Sequence, residues 1–527
     1  MIMRGKCRWI ALLTISAAAL CAAGWPAESD LPELWPCPPF TVEGQNIVDA
    51  TGRRVSPRGV NVENKSSEDR HATWQSREHY LSLRNQGMTA VRYLIFWSAV
   101  EPEPSQYDNA YLDAVARAVE EITASGLFVI LDMHQDLFSA AIPGGNGAPR
   151  WAVARQDLPH WTPDGVWSLA YFTSPRLHAA WDAFWSNEPG PDGVGLQDHF
   201  ARAWQHVAAR FRNMPGVIGY DLLNEPMAGS LMTGIGTLAL ATLGQMSFQE
   251  LGLALPDLIE QSMKLGYLPR EALSMLESPD AYRTLFASIE PAIHHFEQTS
   301  VAGLYERVIA GIRSVDPDRI IFLEPTALVN AGAVSGLPLP SPPLFGPVAY
   351  LPHWYDLVLD TAIACEASKK RLGMAMDSRV QEAERMGLPL LIGEWGAFYN
   401  SPSCRDAGNM MAELLARNTV GDFYWDYHRN MEESPYRSAL FRPVPIAVNG
   451  RGVRVELDFG QGTFRITWQE EQADRPASLI YVPAEWAPAD ILVDGRRLTG
   501  ELAQLPYLKI EADPDRATRE VLIRRKK

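Results

Sequence analysis

The sequence predicts an α/β protein: a (β/α)8 TIM barrel followed by a small C-terminal antiparallel β-sandwich. The chain has 527 residues, more than one average domain needs. From about residue 55 to 426, short runs of β-branched and aromatic residues alternate with stretches of helical periodicity, as in βα units around a parallel sheet. After about residue 437, apolar and polar residues alternate strictly, which is typical of antiparallel strands.

The barrel needs eight strands, and the sequence offers a candidate for each. Amphipathic stretches between them, such as 112–122 and 200–211, predict the helices. The strand candidates, in order, are 55–61, 89–97, 127–134, 217–224, 319–325, 348–355, 388–395 and 422–427. This order predicts a barrel domain over 30–436, with its chemistry at the C-terminal ends of the strands.

The predicted sandwich covers 437–527. Val453, Val455 and Leu457 begin its alternating pattern, and further short strands are predicted at 477–483 and 490–498. It carries no group suited to chemistry, so a stabilising role is favoured over a binding role.

The N-terminus has the layout of a secretory signal peptide. Three basic residues precede an apolar run at 9–21, and small residues follow it, so we expect residues 1–24 to be removed and the protein to be extracellular or periplasmic. The remaining cysteines are Cys37, Cys365 and Cys404, an odd number. Cys365 and Cys404 could form a disulfide in an oxidising compartment or stay as thiols, and the sequence leaves both open.

Composition excludes several partners. Lys and Arg total 47 against 63 Asp and Glu, a formal charge of −16, which argues against nucleic acid and against a purely electrostatic hold on anionic membranes. The spacing of Cys and His does not resemble a metal site, and we expect no metal.

One segment departs from the barrel rhythm. Residues 227–246 carry no charge and open an insertion that runs to about residue 300. Three interpretations remain open: a buried helical hairpin, a flap that makes transient contact with a membrane or micelle surface, and disorder. A transmembrane span is disfavoured, because the run contains four glycines and both flanks belong to one barrel.

Two carboxylates end strands on opposite sides of the predicted mouth. Glu225 lies in Asn-Glu-Pro after the fourth strand, and Glu394 lies in Gly-Glu-Trp-Gly at the end of the seventh. Retaining glycosidases use two carboxyl groups about 5 Å apart, one as acid/base and one as nucleophile. Glu188, in a second Asn-Glu-Pro, lacks a preceding strand, and Glu324 on the fifth strand is better placed to adjust a neighbour than to attack.

Other polar and aromatic residues near the strand ends complete the predicted site. Asn224 is placed to hold a sugar 2-hydroxyl, Tyr355 to orient Glu394, and Trp425 to stack under a sugar ring. Trp97, Trp151 and Trp354 are further stacking candidates. The predicted substrate-binding set, some of whose members also fix the carboxylates, is Lys65, Arg92, His134, Asp136, Asn224, His353, Tyr355 and Trp425.

Asn-Glu-Pro after strand four with a Glu after strand seven resembles glycoside hydrolase family five. Several segments are similar to the endoglycoceramidases, namely 58–66, 91–108, 131–139, 144–152, 219–226, 352–356, 393–396 and 442–445. That resemblance implies hydrolysis of the bond between oligosaccharide and ceramide in glycosphingolipids, with Glu225 as acid/base and Glu394 as nucleophile. It also implies active-site or sugar-binding roles for Lys65, His134, Asp136, Asn224, His353, Tyr355 and Trp425, and no cofactor.

The insertion at 227–300 is larger and more apolar than this family leads us to expect, so the aglycone stays open. The alternatives are a sterol glucoside, a simple glucosylceramide or a soluble β-glucan. A glycolipid-binding protein without activity is disfavoured, because both carboxylates and the Asn-Glu-Pro are intact.

Overall fold

The structure is a computed structural model that describes residues 31, 34–161, 167–339, 346–399, 401–418, 420–471, 475–498, 505–513 and 515–526. The predicted signal peptide at 1–24 lies outside these residues. The described helices are α1 (Arg77–Asn85), α2 (Trp97–Val100), α3 (Asn109–Ala124), α4 (Ala170–Thr173), α5 (Pro175–Trp185), α6 (Leu196–Phe211), α7 (Leu231–Leu251), α8 (Leu255–Leu265), α9 (Arg270–Met275), α10 (Pro279–Phe296), α11 (Ala302–Arg313), α12 (Lys369–Met386), α13 (Arg405–Asn418) and α14 (Arg437–Leu440).

Three short strands precede the barrel: β1 (Thr41–Glu43), β2 (Asn46–Val48) and β3 (Arg54–Val55). Eight parallel strands then form the barrel: β4 (Gly59–Val62), β5 (Ala90–Ile95), β6 (Phe128–Met133), β7 (Val217–Asp221), β8 (Ile320–Leu323), β9 (Val348–Tyr350), β10 (Leu391–Gly396) and β11 (Gly421–Trp425). Backbone hydrogen bonds from Tyr350 to Pro389 and from Gly393 to Pro352 join β9 to β10 and close it. The predicted barrel is confirmed.

The last strands are β12 (Val444–Val448), β13 (Gly450–Asp458), β14 (Thr463–Glu470), β15 (Ser478–Tyr481), β16 (Ala489–Val493), β17 (Arg496–Arg497), β18 (Tyr507–Ile510) and β19 (Thr518–Arg525). They form a five-stranded sheet, β13-β14-β19-β16-β17, and part of a six-stranded sheet, β1-β2-β3-β12-β15-β18. Phe464 and Val521 of the first sheet share one core with Ile480 and Leu508 of the second. The predicted sandwich is confirmed, but it also takes three strands from before the barrel.

The six-stranded sheet also seals the lower end of the barrel. Phe40 lies edge-on against Phe128 with ring centroids 4.5 Å apart, and Val55, Val444 and Tyr481 join the same apolar cluster. The first predicted strand, 55–61, is therefore split: Val55 belongs to the sandwich, and only Gly59–Val62 belongs to the barrel.

Alternation along the barrel strands separates an apolar floor from a charged mouth. Phe128 and Ile130 lie in the apolar cluster inside the barrel, and Asp132, two residues further on, has the same orientation and joins the charged layer. Phe322 and Glu324 repeat this step on the fifth strand, where Phe322 belongs to the same cluster. The strand pattern thus places carboxylates at the C-terminal ends.

The insertion folds as four helices, α7 to α10, so disorder is excluded for 231–296. Among the described residues, α7 alone is long and apolar enough to cross a membrane, and a third of it is buried. Cys365 and Cys404 form a disulfide, which settles the choice left open by the sequence.

Candidate active site

A cavity of about 820 Å³ opens at the C-terminal ends of the barrel strands. Both predicted catalytic carboxylates, Glu225 and Glu394, line it. Six of the predicted substrate-binding residues also line it, namely Lys65, His134, Asp136, Asn224, Tyr355 and Trp425. The loops after six of the eight strands thus converge on one site.

The two carboxylates lie close together. An oxygen of Glu225, an oxygen of Glu394 and a nitrogen of His353 lie within 4.8 Å of one another. Retaining glycosidases keep their carboxyl groups about 5–5.5 Å apart, whereas inverting enzymes need roughly 6.5–9.5 Å to admit a water. The separation here is that of a retaining pair.

Glu394 is held as an ionisable nucleophile would be. Arg92 donates to its Oε1 at 2.8 Å, and the Tyr355 hydroxyl donates to its Oε2 at 3.1 Å. Burial raises the pKa of Glu394 to about 6, although His353 and Arg92 oppose this rise. The carboxylate is therefore charged near neutral pH and has a fixed orientation.

Glu225 adopts a left-handed backbone conformation, with φ of 47°. Such a conformation is uncommon for a residue with a side chain and needs support from its surroundings. Glu324 accepts the Glu225 N–H at 3.0 Å, and the Gln135 side chain donates to the Glu225 carbonyl at 3.1 Å. These two buried residues fix the backbone that carries the carboxyl group.

His353 connects three carboxylates. Its Nδ1 lies 2.8 Å from Glu225 Oε1 and 3.4 Å from Glu394 Oε2, and its Nε2 lies 3.3 Å from Glu324 Oε1. Burial alone would lower the pKa of His353, but Glu324 and Glu394 raise it well above its ordinary value. The imidazole is therefore protonated and balances the surrounding negative charge.

Two members of the predicted substrate-binding set do not reach the cavity. Arg92 is fully buried and pairs with four carboxylates, those of Asp132, Asp221, Glu324 and Glu394. His353 is only 1% exposed and lies beneath Glu225 and Glu394. Both residues orient the carboxylates, which is the second role predicted for members of this set, and neither lines the cavity in which substrate would bind. A buried guanidinium must pair with acidic partners.

The acidic groups around Arg92 influence one another. Burial, and next the neighbouring Glu324, raise the pKa of Asp221 well above its ordinary value, and the Arg92 guanidinium opposes this rise. The neutral form is therefore more accessible to Asp221 than to an ordinary aspartate. The oxygens of Asp132, Asp221 and Glu324 are close enough to hold a metal ion, but they are engaged by the Arg92 guanidinium, which supplies the positive charge.

Lys65, Asp136, His134 and Trp425 form a polar and aromatic corner of the cavity. Lys65 Nζ lies 2.7 Å from Asp136 and 4.3 Å from the centre of the Trp425 ring, and His134 stacks on that ring. Lys65 and His134 lower the pKa of Asp136 against the effect of burial. Fixed charges beside an aromatic face suit a sugar, which offers hydroxyl groups and an apolar ring face.

The other predicted stacking residues lie elsewhere. Trp97 and Trp354 are buried in the core between the strands and the helices, and Trp151 packs edge-on against His199. Their positions near strand ends could not reveal on which side of the strand each ring lies. Glu188 is exposed at the end of α5, outside the cavity, as its context predicts.

Several site residues were missed from the sequence. Trp167 and Asp360 line the cavity on two different loops and share a hydrogen bond of 3.1 Å. Asn330 donates to Glu225 Oε1 at 2.7 Å. Trp167, Asp360 and Asn330 lie 34, 10 and 7 residues beyond the ends of β6, β9 and β8, where no periodicity indicates which residue turns inward. Gln135, next to His134, could have been noticed.

Exposed apolar side chains are concentrated on two helices of the insertion, α7 and α8. We define the apolar platform by the exposed large side chains of α7 and α8, namely Leu231, Leu238, Leu240, Phe248, Leu251, Ile259, Met263 and Leu265. α7 packs closely on α4, because a Cβ on Gly236 would lie 2.8 Å from the Phe172 ring. Trp167 lies just before α4 and lines the cavity. The platform helices are therefore joined through α4 to Trp167 in the cavity wall.

Comparison with known proteins agrees with this geometry. Residues 48–431 match the cellulase family, glycosyl hydrolase family 5. Endoglycoceramidase I of Rhodococcus hoagii is 27% identical over 490 residues, which cover 88% of this chain and 85% of that protein.

Two structures of endo-glycoceramidase II from a Rhodococcus species are also similar. Its ganglioside GM3 complex is 26% identical with a TM-score of 0.69, covering 91% of this chain and 99% of that chain. Its lactosyl-enzyme intermediate is 26% identical with a TM-score of 0.68 and the same coverage. The chain therefore belongs to glycosyl hydrolase family 5 and is a retaining glycoside hydrolase.

Proposed function

We propose that this protein is an endo-β-glycosidase that releases the oligosaccharide from the ceramide of glycosphingolipids, with Glu225 as acid/base and Glu394 as nucleophile. The observation that carries the proposal is a retaining carboxylate pair in a cavity whose wall is joined through α4 to the apolar platform. Such a substrate joins a polar glycan to two apolar chains, and the two surfaces match its two halves.

The first step forms a glycosyl-enzyme. Glu394, ionised and oriented by Arg92 and Tyr355, attacks the anomeric carbon while Glu225 gives its proton to the departing ceramide oxygen. The bond from sugar to ceramide breaks as the bond to Glu394 forms. Asn224 lines the cavity, accepts from Arg92 at 3.0 Å and donates to the Gln135 carbonyl at 3.1 Å, which leaves the second N–H of its amide for the sugar 2-hydroxyl.

The second step returns the enzyme to its starting state. Glu225, now ionised, takes a proton from a water, which attacks the anomeric carbon and releases Glu394. Each step inverts the anomeric centre, so the released glycan keeps its β configuration. Lys65, Asp136, His134 and Trp425 hold the sugar during both steps.

The exposed apolar side chains of the platform favour a ceramide glycoside over a soluble glucan as the substrate. Phe248 and Met263 of the platform are 63% and 77% exposed, and exposed apolar area of this extent marks a lipid or partner surface. A soluble β-glucan would leave the platform in water. The similar proteins are endoglycoceramidases, and one of the similar structures is a complex with a ganglioside. Both findings favour a ceramide glycoside over a sterol glucoside as the substrate.

We further propose that α7 makes transient contact with a membrane or micelle surface. The stretch 227–246 carries no charge, and the net charge of −16 favours a neutral lipid surface. Secretion belongs to the same proposal: the disulfide between Cys365 and Cys404 suits an oxidising compartment, and the sequence of 1–24 suits a signal peptide.

Mass spectrometry of the products tests the function. The purified protein is incubated with a ganglioside and, separately, with glucosylceramide, and Glu394→Gln serves as the inactive control. Intact oligosaccharide plus ceramide from the ganglioside is the expected result. Cleavage of glucosylceramide alone, or of a sterol glucoside or a soluble glucan in place of the ganglioside, would contradict it.

A further inference from the structure

Asn330 contacts the proposed acid/base directly. Its Nδ2 donates to Glu225 Oε1 at 2.7 Å, and His353 Nδ1 lies 2.8 Å from the same oxygen. Among the described residues, Oε2 of Glu225 receives no such hydrogen bond. Two donors on Oε1 stabilise negative charge on that oxygen, so a proton on the carboxyl group is favoured on Oε2.

The loop that carries Asn330 is held by buried ionisable groups. Glu297 accepts hydrogen bonds from the Thr326 N–H at 3.0 Å and the Gly336 N–H at 2.6 Å. Arg379 donates to the carbonyls of Val329 and Ala333, on either side of Asn330. The backbone is thus fixed before, beside and after this residue.

Burying these two ionisable groups costs folding free energy. Glu297 and Arg379 are both fully buried, and each buried charge carries a desolvation penalty of several kcal/mol. Burial raises the pKa of Glu297 to about 7. A surface loop of ordinary function does not need this support, whereas a loop that orients a catalytic group does.

Asn330 also reaches the second carboxylate through Tyr355. The Tyr355 N–H donates to the Asn330 carbonyl at 3.1 Å, and the Tyr355 hydroxyl donates to Glu394. The insertion contributes to this arrangement, because Tyr282 of α10 donates to the Ala331 carbonyl. A single loop therefore connects the insertion to both catalytic carboxylates.

We propose that Asn330 is a positioning residue that, together with His353, places the catalytic proton on Oε2 of Glu225. The proposal rests on the proposed role of Glu225 as acid/base. Without Asn330 the carboxyl group can rotate, and the proton is shared between an oxygen directed at the leaving group and one that is not. Protonation of the leaving group suffers, whereas attack by Glu394 does not.

Leaving-group dependence tests this role. We compare kcat/KM of the parent, Asn330→Ala and Asn330→Asp on two lactosides, one with a dinitrophenyl group that departs without a proton and one with an alkyl group that needs it. Because general acid catalysis contributes about 10²–10⁴-fold, Asn330→Ala should lose about ten- to a hundredfold on the alkyl lactoside and less than about threefold on the dinitrophenyl lactoside.

Asn330→Asp adds a readout that a merely structural role would not move. A second carboxyl group beside Glu225 holds the catalytic proton more tightly, so the basic limb of the pH profile on the alkyl lactoside should move to higher pH. Asn409→Ala is the matched control: Asn409 accepts from Ser438 and does not line the cavity, so its profile should equal that of the parent.

Equal losses on both lactosides, or an Asn330→Ala enzyme within about threefold of the parent on the alkyl lactoside, would overturn the proposal, since an acid-positioning role should cost far more on that substrate. Glu225→Gln, measured alongside, separates the two hypotheses. If Glu225→Gln fails to discriminate between the lactosides, the acid/base assignment itself falls; if it discriminates and Asn330→Ala does not, only the role of Asn330 falls.

Discussion

Replacing Leu231 and Leu238 together by serine should weaken binding to lipid vesicles. The two side chains are seven residues apart on one side of α7 and are 50% and 45% exposed in the free protein. Burying a whole leucine side chain is worth about 1.5–3 kcal/mol, so covering these exposed parts should contribute about 1.4–2.9 kcal/mol for the pair. Since 1.4 kcal/mol is a factor of ten in affinity, the double variant should bind roughly ten- to a hundredfold more weakly.

Co-sedimentation with phosphatidylcholine vesicles measures this loss directly. Hydrolysis of a ganglioside in the same vesicles should fall in parallel, whereas hydrolysis of a soluble aryl lactoside should not change. Leu339→Ser is the matched control, because Leu339 is 39% exposed and lies outside the apolar platform. Unchanged vesicle binding by the double variant, or an equal loss for the control, would refute the membrane role of α7.

Further outcomes follow from the site. Glu394→Gln should lower kcat by at least about a thousandfold, measured on an aryl lactoside, because about 4 kcal/mol of barrier depends on the nucleophile; a loss within tenfold would exclude Glu394. Glu394 attacks only when ionised, and burial raises its pKa to about 6, so kcat/KM should fall with decreasing pH below about 6 and level off above it; a flat profile from pH 4 to 7 would contradict this. Burial and Glu324 favour the neutral form of Asp221, so Asp221→Asn should keep activity within about tenfold, whereas Glu324→Gln, which removes a charge facing Arg92 and His353, should lose more than that in the same assay; equal losses would contradict this difference between the two carboxyl groups. Cys365→Ser with Cys404→Ser opens a loop of 39 residues and should lower the free energy of unfolding by about 3–4 kcal/mol in thermal denaturation; an unchanged melting temperature would show that the loops are held by other contacts.

The barrel could be predicted because each strand carries its own signal. A parallel strand that is buried on both faces has a continuous apolar sequence. The sequences between these strands show the 3.6-residue apolar periodicity of amphipathic helices. The catalytic carboxylates could be predicted because both follow such runs directly. Trp425 was correctly placed in the cavity for the same reason.

Residues whose roles depend on distant contacts could not be read from the sequence. Arg92 and His353 were chosen correctly as neighbours of the carboxylates, but sequence cannot show that both lie beneath the cavity. Asn330 lies six residues beyond Glu324, in a loop whose shape is set by Glu297 and Arg379. No local sequence pattern indicates that Glu297 and Arg379 hold this loop.

The two-residue strand β3 shows a similar limit for the fold. It pairs with β12 through Val55 and Ala447, near opposite ends of the chain. Two residues are too few for a periodicity, and their partner is set by tertiary structure alone. The N-terminal strands were therefore assigned to the barrel domain, whereas they complete the sandwich.

That pairing bears on the order in which the protein can mature. The floor of the barrel stays only partly covered until β12 and β15 have been synthesised. These strands supply four of the eight buried side chains that cover it, namely Val444, Ile446, Leu479 and Tyr481. A chain cut after the barrel would lose these side chains and expose part of the apolar floor to water, which should destabilise a barrel expressed alone.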